Sequence, residues 1–152
     1  MTFFSSFLGY QTFNKLNKSN NKKKIIFFSE SKNYRNYLIG LIKSLEEEKK
    51  SNLSIIYLTS DKNDIDQISD DIKPIYIGTG FFMALLFYLI DCDILVMTLT
   101  DLNNHKIKKS KFCKNYIYLF HSLVSVHKTY THEAFKNYDI ILCNGEYQKK
   151  EL

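Results

Sequence analysis

Residues 24–59, KIIFFSESKNYRNYLIGLIKSLEEEKKSNLSIIYLT, decide the fold. Lys24 to Ser29 is a short apolar run rich in β-branched and aromatic residues, and Leu53 to Thr59 is a second. Between them Tyr34, Tyr37, Leu38, Leu41, Ile42 and Leu45 recur at helical spacing, which predicts a helix over 34–48. Strand, amphipathic helix, strand is the pattern of a parallel βαβ unit. Strands that read as near-continuous apolar runs are buried on both faces.

The pattern continues outward. Residues 61–72 are acidic, with Ile65, Ile68 and Ile72 at helical spacing. Pro74–Ile77 is a third strand, followed by Gly78-Thr79-Gly80 and an apolar stretch over 81–90 that predicts a buried helix. Asp93–Thr98, Asn115–Phe120 and Asp139–Asn144 are the fourth to sixth strands. A short helix is expected over 132–137, and another begins at Glu146. The expectation is an α/β, Rossmann-like parallel sheet of about six strands with helices on both faces. In such sheets ligands sit at the carboxyl ends of the strands, which directs attention to the residues that close each run.

The chain has 152 residues, enough for one domain that buries roughly 70% of its unfolded surface. Its 45% hydrophobic and 24% charged content is that of a globular protein, not of a disordered one. The net charge of +5 is concentrated: Lys15, Lys18, Lys22, Lys23 and Lys24 are accompanied by no acid, and beyond them bases and acids balance, 16 against 16. A globally basic, nucleic-acid-binding domain is therefore not indicated. Cys92, Cys113 and Cys143 have no metal-type spacing and leave one thiol over after any pairing, which fits a reducing, cytoplasmic compartment.

The longest apolar run, Phe81–Ile90, is half the ~20 residues a membrane span needs. The first 18 residues lack the leading positive charge and the small-residue cleavage site of a secretory signal. Phe3, Phe4, Phe7, Leu8, Phe13 and Leu16 fall near one face of a helix. Two readings stay open for this arm, residues 1–23. It lies on an anionic membrane surface, or it packs a few aromatics onto the domain.

Several strand-end residues are candidates for chemistry. Gly78-Thr79-Gly80 lacks the third glycine of a dinucleotide fingerprint, and no Walker lysine follows, so neither an NAD enzyme nor a P-loop NTPase is indicated. His121 closes the fifth strand, where an imidazole can take a proton from a hydroxyl near neutral pH. Ser122, Ser125, His127, Lys128 and Tyr130 follow it in a loop rich in donors and acceptors. The spacings of His121, His127 and His132 do not favour a metal, and no cofactor is called for. Glu30 and Asp101 follow the first and fourth strands, positions that orient a substrate hydroxyl or cap a helix. Lys106, Lys108, Lys109, Lys111 and Lys114 form either a solvated loop or a patch for an anionic polymer or bilayer.

Taken in order, these motifs resemble the amino-terminal domain of the CDP-glycerol glycerophosphotransferase family, whose members build teichoic acids and related surface polymers. The resemblance covers about residues 24–152. It rests on FFSESKNYRNYL, IIYLTSDKND, YIGTGF, ILVMTLTDL and above all YIYLFHSLVSVHKTYTHEAFKNYDIILCNGEYQKKEL. It implies the amino-terminal half of a GT-B glycosyltransferase-like fold. This half receives a surface-polymer or lipid-linked acceptor, and a second domain, absent here, holds the CDP-linked donor. His121 matches the family's proposed base. The next position is Ser122 where the family has Gly, and the preceding one is Phe120 where Trp is common.

The implied reaction is direct displacement at the β-phosphorus of a CDP-activated polyol, expelling CMP. Glu30, Asp101, Ser122, Ser125 and Lys128 are the expected acceptor-binding residues. The expected location is cytoplasmic, on the inner face of the membrane. Residue 152 falls early in the helix begun at Glu146, which reads as part of something longer. The competing expectations are a non-catalytic α/β module for an anionic polymer or membrane, and one half of a sugar-nucleotide transferase of the same architecture.

Overall fold

The computed structural model describes residues 7–14, 23–48, 52–100, 102–103, 107–131 and 133–152. Six strands form one sheet: β1 Lys23–Ser29, β2 Leu53–Thr59, β3 Ile75–Tyr76, β4 Cys92–Met97, β5 Cys113–Leu119 and β6 Ile140–Leu142. Their order is β3-β2-β1-β4-β5-β6 and every pairing is parallel. The helices are α1 (residues 7–14), α2 Lys32–Glu47, α3 Phe81–Leu89, α4 Val126–Thr129 and α5 Glu146–Glu151. The sheet grows in one direction from β1 through β3, and the chain then crosses by α3 to add β4 on the other side of β1. The carboxyl ends of β1 and β4 thus flank the topological switch point, where α/β sheets open a crevice.

Strand alternation builds two cores. Ile25 and Phe27 of β1, Tyr57 of β2 and Val96 of β4 face α2, whose Leu38 and Ile42 are buried against them. Ile26, Phe28, Leu95, Met97, Tyr116 and Tyr118 face the other way, onto Leu86 and Phe87 of α3 and onto Ala134, Phe135 and Tyr138. Each fully buried Leu, Ile or Phe contributes about 1.5–3 kcal/mol relative to an exposed one. That is why these apolar runs fix the strand faces.

Helix α2 starts at Ser31, whose side-chain oxygen accepts from the Asn33 N–H, while the Lys32 N–H donates to Asp61 at 2.9 Å. Two orphan donors of the first turn are satisfied in this way.

Three expectations need correction. Residues 61–72 form turns, not a helix. Asp64 is wholly buried and accepts from Arg35 at 3.0 Å and from the Tyr57 hydroxyl at 2.6 Å, which draws the segment onto α2 and leaves Ile65 61% exposed. The short helix lies at Val126–Thr129, while residues 133–137 form turns. There the N–H groups of Ala134, Lys136 and Tyr138 each reach back three residues, to Thr131, Glu133 and Phe135. Finally, α3 is not wholly buried: only Leu86 and Phe87 are, and Phe81 is 72% exposed.

The part of the arm that is described belongs to the domain. Phe13 is in the core, and the Phe7 and Tyr10 rings lie 5.8 and 6.5 Å from that of Phe82. Gly9 sits so close to β3 that a Cβ there would lie 1.8 Å from the Tyr76 carbonyl oxygen. Among the described residues no helix is long and apolar enough to cross a membrane.

Candidate functional site at the carboxyl edge of the sheet

The register places His121 at the carboxyl edge, one strand away from the switch point. Met97 pairs with Tyr118, so Thr98 lies beside Leu119, and His121 continues the face of Ile117 and Leu119. That face looks toward α2, and the helix supplies the ring's neighbours. Tyr34 packs on the imidazole with centroids 4.2 Å apart and planes inclined by 44°, and Tyr37 approaches at 6.4 Å. Burial holds the imidazole below its ordinary pKa. Its Nδ1 is buried and has no hydrogen-bond partner among the described residues.

Two further buried polar atoms lack a hydrogen-bond partner among the described residues, the Thr98 Oγ1 and the Tyr118 hydroxyl. All three belong to the carboxyl ends of β4 and β5. Tyr118 points to the opposite face, among Phe120, Phe135 and Tyr138. Burial, chiefly, and the neighbouring Tyr130 phenol and Glu30 carboxylate keep its hydroxyl protonated far into the alkaline range. Unsatisfied buried polar groups cost about 1–3 kcal/mol each, so Thr98 and His121, on the α2 face of this edge, mark a place where a ligand has something to complete.

The other candidate residues fall into different situations. Glu30 follows β1, but the α2 cap is Ser31, and the Glu30 carbonyl accepts from the Ser60 hydroxyl at 3.2 Å. Asp101 lies outside the described residues, as do His105, Lys106 and His132. Ser122 serves the loop through its backbone: its carbonyl accepts from Asn144 and Gln148 at 3.1 and 3.0 Å. The Ser125 hydroxyl donates to the Glu151 carboxylate, which also accepts the Val126 N–H at 2.5 Å. These bonds hold the Glu151 carboxyl below the usual carboxylate range. Lys128 is exposed on α4. His121 is thus brought together with Tyr34 and Tyr37 and shares its sheet face with Thr98, while Ser122 and Ser125 tie the following loop to α5.

Two lysines of the lysine-rich segment are paired with acids. Lys114 pairs with Asp93 at 2.5 Å. Lys109 donates to the Asn137 carbonyl, pairs with Asp139 at 3.6 Å and lies over the Tyr116 ring. A cleft of about 590 Å³ between α4 and α5 is lined by His127, Glu133, Lys136, Lys150 and Glu151, among others, but not by His121. Its acids and bases nearly balance, so it has no electrostatic preference for an anion. No group of three His, Cys, Asp or Glu among the described residues is placed to hold a metal ion.

Thr98 and Tyr34 are the site residues that sequence reasoning did not single out. The strand-end rule already pointed at Thr98. Tyr34 carried only a helical-face assignment, and nothing in its spacing reveals that it reaches across to the residues that follow β5.

The sheet order and the site at the carboxyl edge define a Rossmann-like α/β protein. Compared with known proteins, the chain matches no protein family, no curated protein and no solved structure.

Proposed function

We propose that this chain is the acceptor side of a phosphotransferase. It would serve the transfer of a polyol phosphate from a CDP-activated donor to a hydroxyl of a surface-polymer or lipid-linked acceptor. The observation that carries this reading is the pair of unsatisfied polar atoms at the ends of β4 and β5 on the α2 face, the Thr98 Oγ1 and the His121 Nδ1. Neither has a fixed charge. An imidazole and a hydroxyl suit a neutral polyol end better than a phosphate.

In this reading His121, neutral at physiological pH because its pKa is lowered, accepts the acceptor's proton at Nε2. The acceptor oxygen attacks the β-phosphorus and CMP leaves. When Nε2 accepts, Nδ1 carries the other proton and requires an oxygen to receive it. Acceptor binding therefore has to reach the buried edge of the ring as well. The donor phosphates call for cations or helix amino-terminal amides, which the reading assigns to a second α/β domain. Phe7, Leu8 and Phe81 are exposed, and they offer the same enzyme an apolar contact with a membrane.

The non-catalytic anionic-polymer module ranks lower because Lys109 and Lys114 are already paired. The sugar-nucleotide alternative shares the architecture and differs in its donor and in the atom attacked, the anomeric carbon in place of phosphorus.

Ligand-observed NMR with short glycerol phosphate oligomers tests the proposal. Binding is expected for the wild-type chain and a loss of at least tenfold in affinity for His121→Ala. With CDP-glycerol added, the 152 residues alone release no CMP. Equal binding by His121→Ala overturns the role of the histidine. Binding that disappears with moderate salt, whatever stands at position 121, favours the polymer module.

A further inference from the structure

The far edge of the sheet holds a second constellation that the proposed reaction does not use. Cys92 opens β4 and Cys113 opens β5, and the two are register partners on adjacent parallel strands. Their sulfurs lie 3.4 Å apart, and the side chains are 2% and 9% exposed. Neighbouring strands run about 4.8 Å apart, inside the ~4.4–6.8 Å window of Cα separations that a disulfide spans. The sulfurs have to close from 3.4 Å to about 2.05 Å for the bond to form. Cys143 stands apart, after β6 at the opposite edge.

We infer that Cys92 and Cys113 are a two-electron redox pair, closed to a disulfide by a hydroperoxide. Cys113 is the first to react. It is the more accessible of the two and follows the exposed Phe112. The hydrogen bond from the Cys92 thiol lowers its proton affinity, whereas the neighbouring sulfur and burial raise that of Cys92. The Cys113 thiolate attacks a peroxide oxygen, breaks the O–O bond and becomes a sulfenic acid. The Cys92 sulfur then attacks the Cys113 sulfur, forming the S–S bond and releasing the oxygen as water. Overall the two thiols give up two electrons and two protons, and hydrogen peroxide becomes two molecules of water. The small oxidant matters because a bulky disulfide reagent has little room at a site so well covered. The bond would tie the amino ends of β4 and β5 and enclose residues 93–112, the segment that carries Thr98.

The test uses the reduced 152-residue chain exposed to hydrogen peroxide, then unfolded, alkylated and mapped by mass spectrometry. The expected product is lighter than the starting chain by two hydrogens, contains a peptide joining Cys92 to Cys113, and has an alkylatable Cys143. Cys92→Ser and Cys113→Ser each remove the cross-link. A second sample is oxidised in unfolding urea and gives mixed pairings. The proposal is overturned if the native chain gives the same mixture as the unfolded one, or if Cys92 and Cys113 both stay alkylatable at a dose that oxidises Cys143.

Discussion

Tyr34, in the first turn of α2, lies against His121, two residues beyond the end of β5, with ring centroids 4.2 Å apart. The helix that follows the first strand thereby shields a side chain that follows the fifth. The contact explains why the imidazole is half-buried and why its pKa is low.

The first prediction concerns that contact. Tyr34→Ala admits water to the ring and moves its pKa up toward the ordinary 6.5, whereas Tyr34→Phe leaves it in place. An NMR titration of the imidazole protons reads both. Because the folded pKa lies below the unfolded one, the unfolded chain binds the proton more readily. This contribution to stability is therefore complete above about pH 6.5 and is lost as pH falls from there through the folded pKa. Tyr34→Ala flattens that acid-side slope in urea-midpoint measurements. An unchanged imidazole pKa in Tyr34→Ala would show that the stack does not govern it.

The buried ion pair between Arg35 and Asp64 gives the second prediction. Arg35 bridges to the 61–72 segment through the Asp64 carboxylate and through the carbonyls of Asp66 and Gln67, at 2.6 and 3.2 Å. Removing one partner strands a buried charge, so Asp64→Ala is expected to cost about 3–5 kcal/mol. Tyr57→Phe removes one hydrogen bond to the same carboxylate, and because that bond involves a charge it costs about 1.5–3 kcal/mol. Urea unfolding measures both. A cost under about 1 kcal/mol for Asp64→Ala would mean that the network does not pin the segment.

This network also explains what the sequence left hidden. The six apolar runs were legible because two-sided burial leaves few polar residues in a strand, and the order of runs and helical patterns gave the parallel sheet. The segment with Ile65, Ile68 and Ile72 has the period of a helix, yet a single arginine on α2 captures Asp64 and dictates turns. No local pattern records a partner 29 residues away. The same limit applies to the cysteines, whose opposition is a matter of register between strands. For the candidate site, the strand-end rule found His121 and the Thr98 segment. It did not show that Ser122 and Ser125 are occupied in holding the loop to α5, because α5 supplies Gln148 and Glu151 from more than 20 residues away.

A third prediction separates the two roles of the amino-terminal arm. Gly9→Ala places a methyl group against the Tyr76 carbonyl oxygen, which belongs to backbone and cannot move aside cheaply. The arm should be levered off the sheet, with faster proteolysis ahead of β1. Phe13→Ala keeps the approach and removes a buried ring, at a cost of about 3–5 kcal/mol. If Gly9→Ala leaves proteolysis and stability unchanged, the helix over 7–14 is not held against β3 in solution. Flotation with anionic vesicles then shows whether the exposed Phe7 and Leu8 serve a membrane.

The last prediction uses a residue whose contributions to stability and to binding have opposite signs. Thr98 buries a hydroxyl that finds no partner among the described residues, so the free protein carries its desolvation cost without a compensating bond. Thr98→Val keeps the shape and removes that oxygen. The variant should be as stable as the wild type or more stable by roughly 1 kcal/mol. If the carboxyl edge of β4 and β5 receives a hydroxylated acceptor, the same substitution weakens binding of glycerol phosphate oligomers by about fivefold to tenfold, the equivalent of one neutral hydrogen bond. Urea unfolding and ligand-observed NMR on one preparation give both numbers. A gain in stability with weaker binding marks Thr98 as a group held unsatisfied for a ligand. A loss of stability would mean that its hydroxyl already has a partner in solution. Unchanged binding would move the acceptor away from this strand end and remove Thr98 from the site.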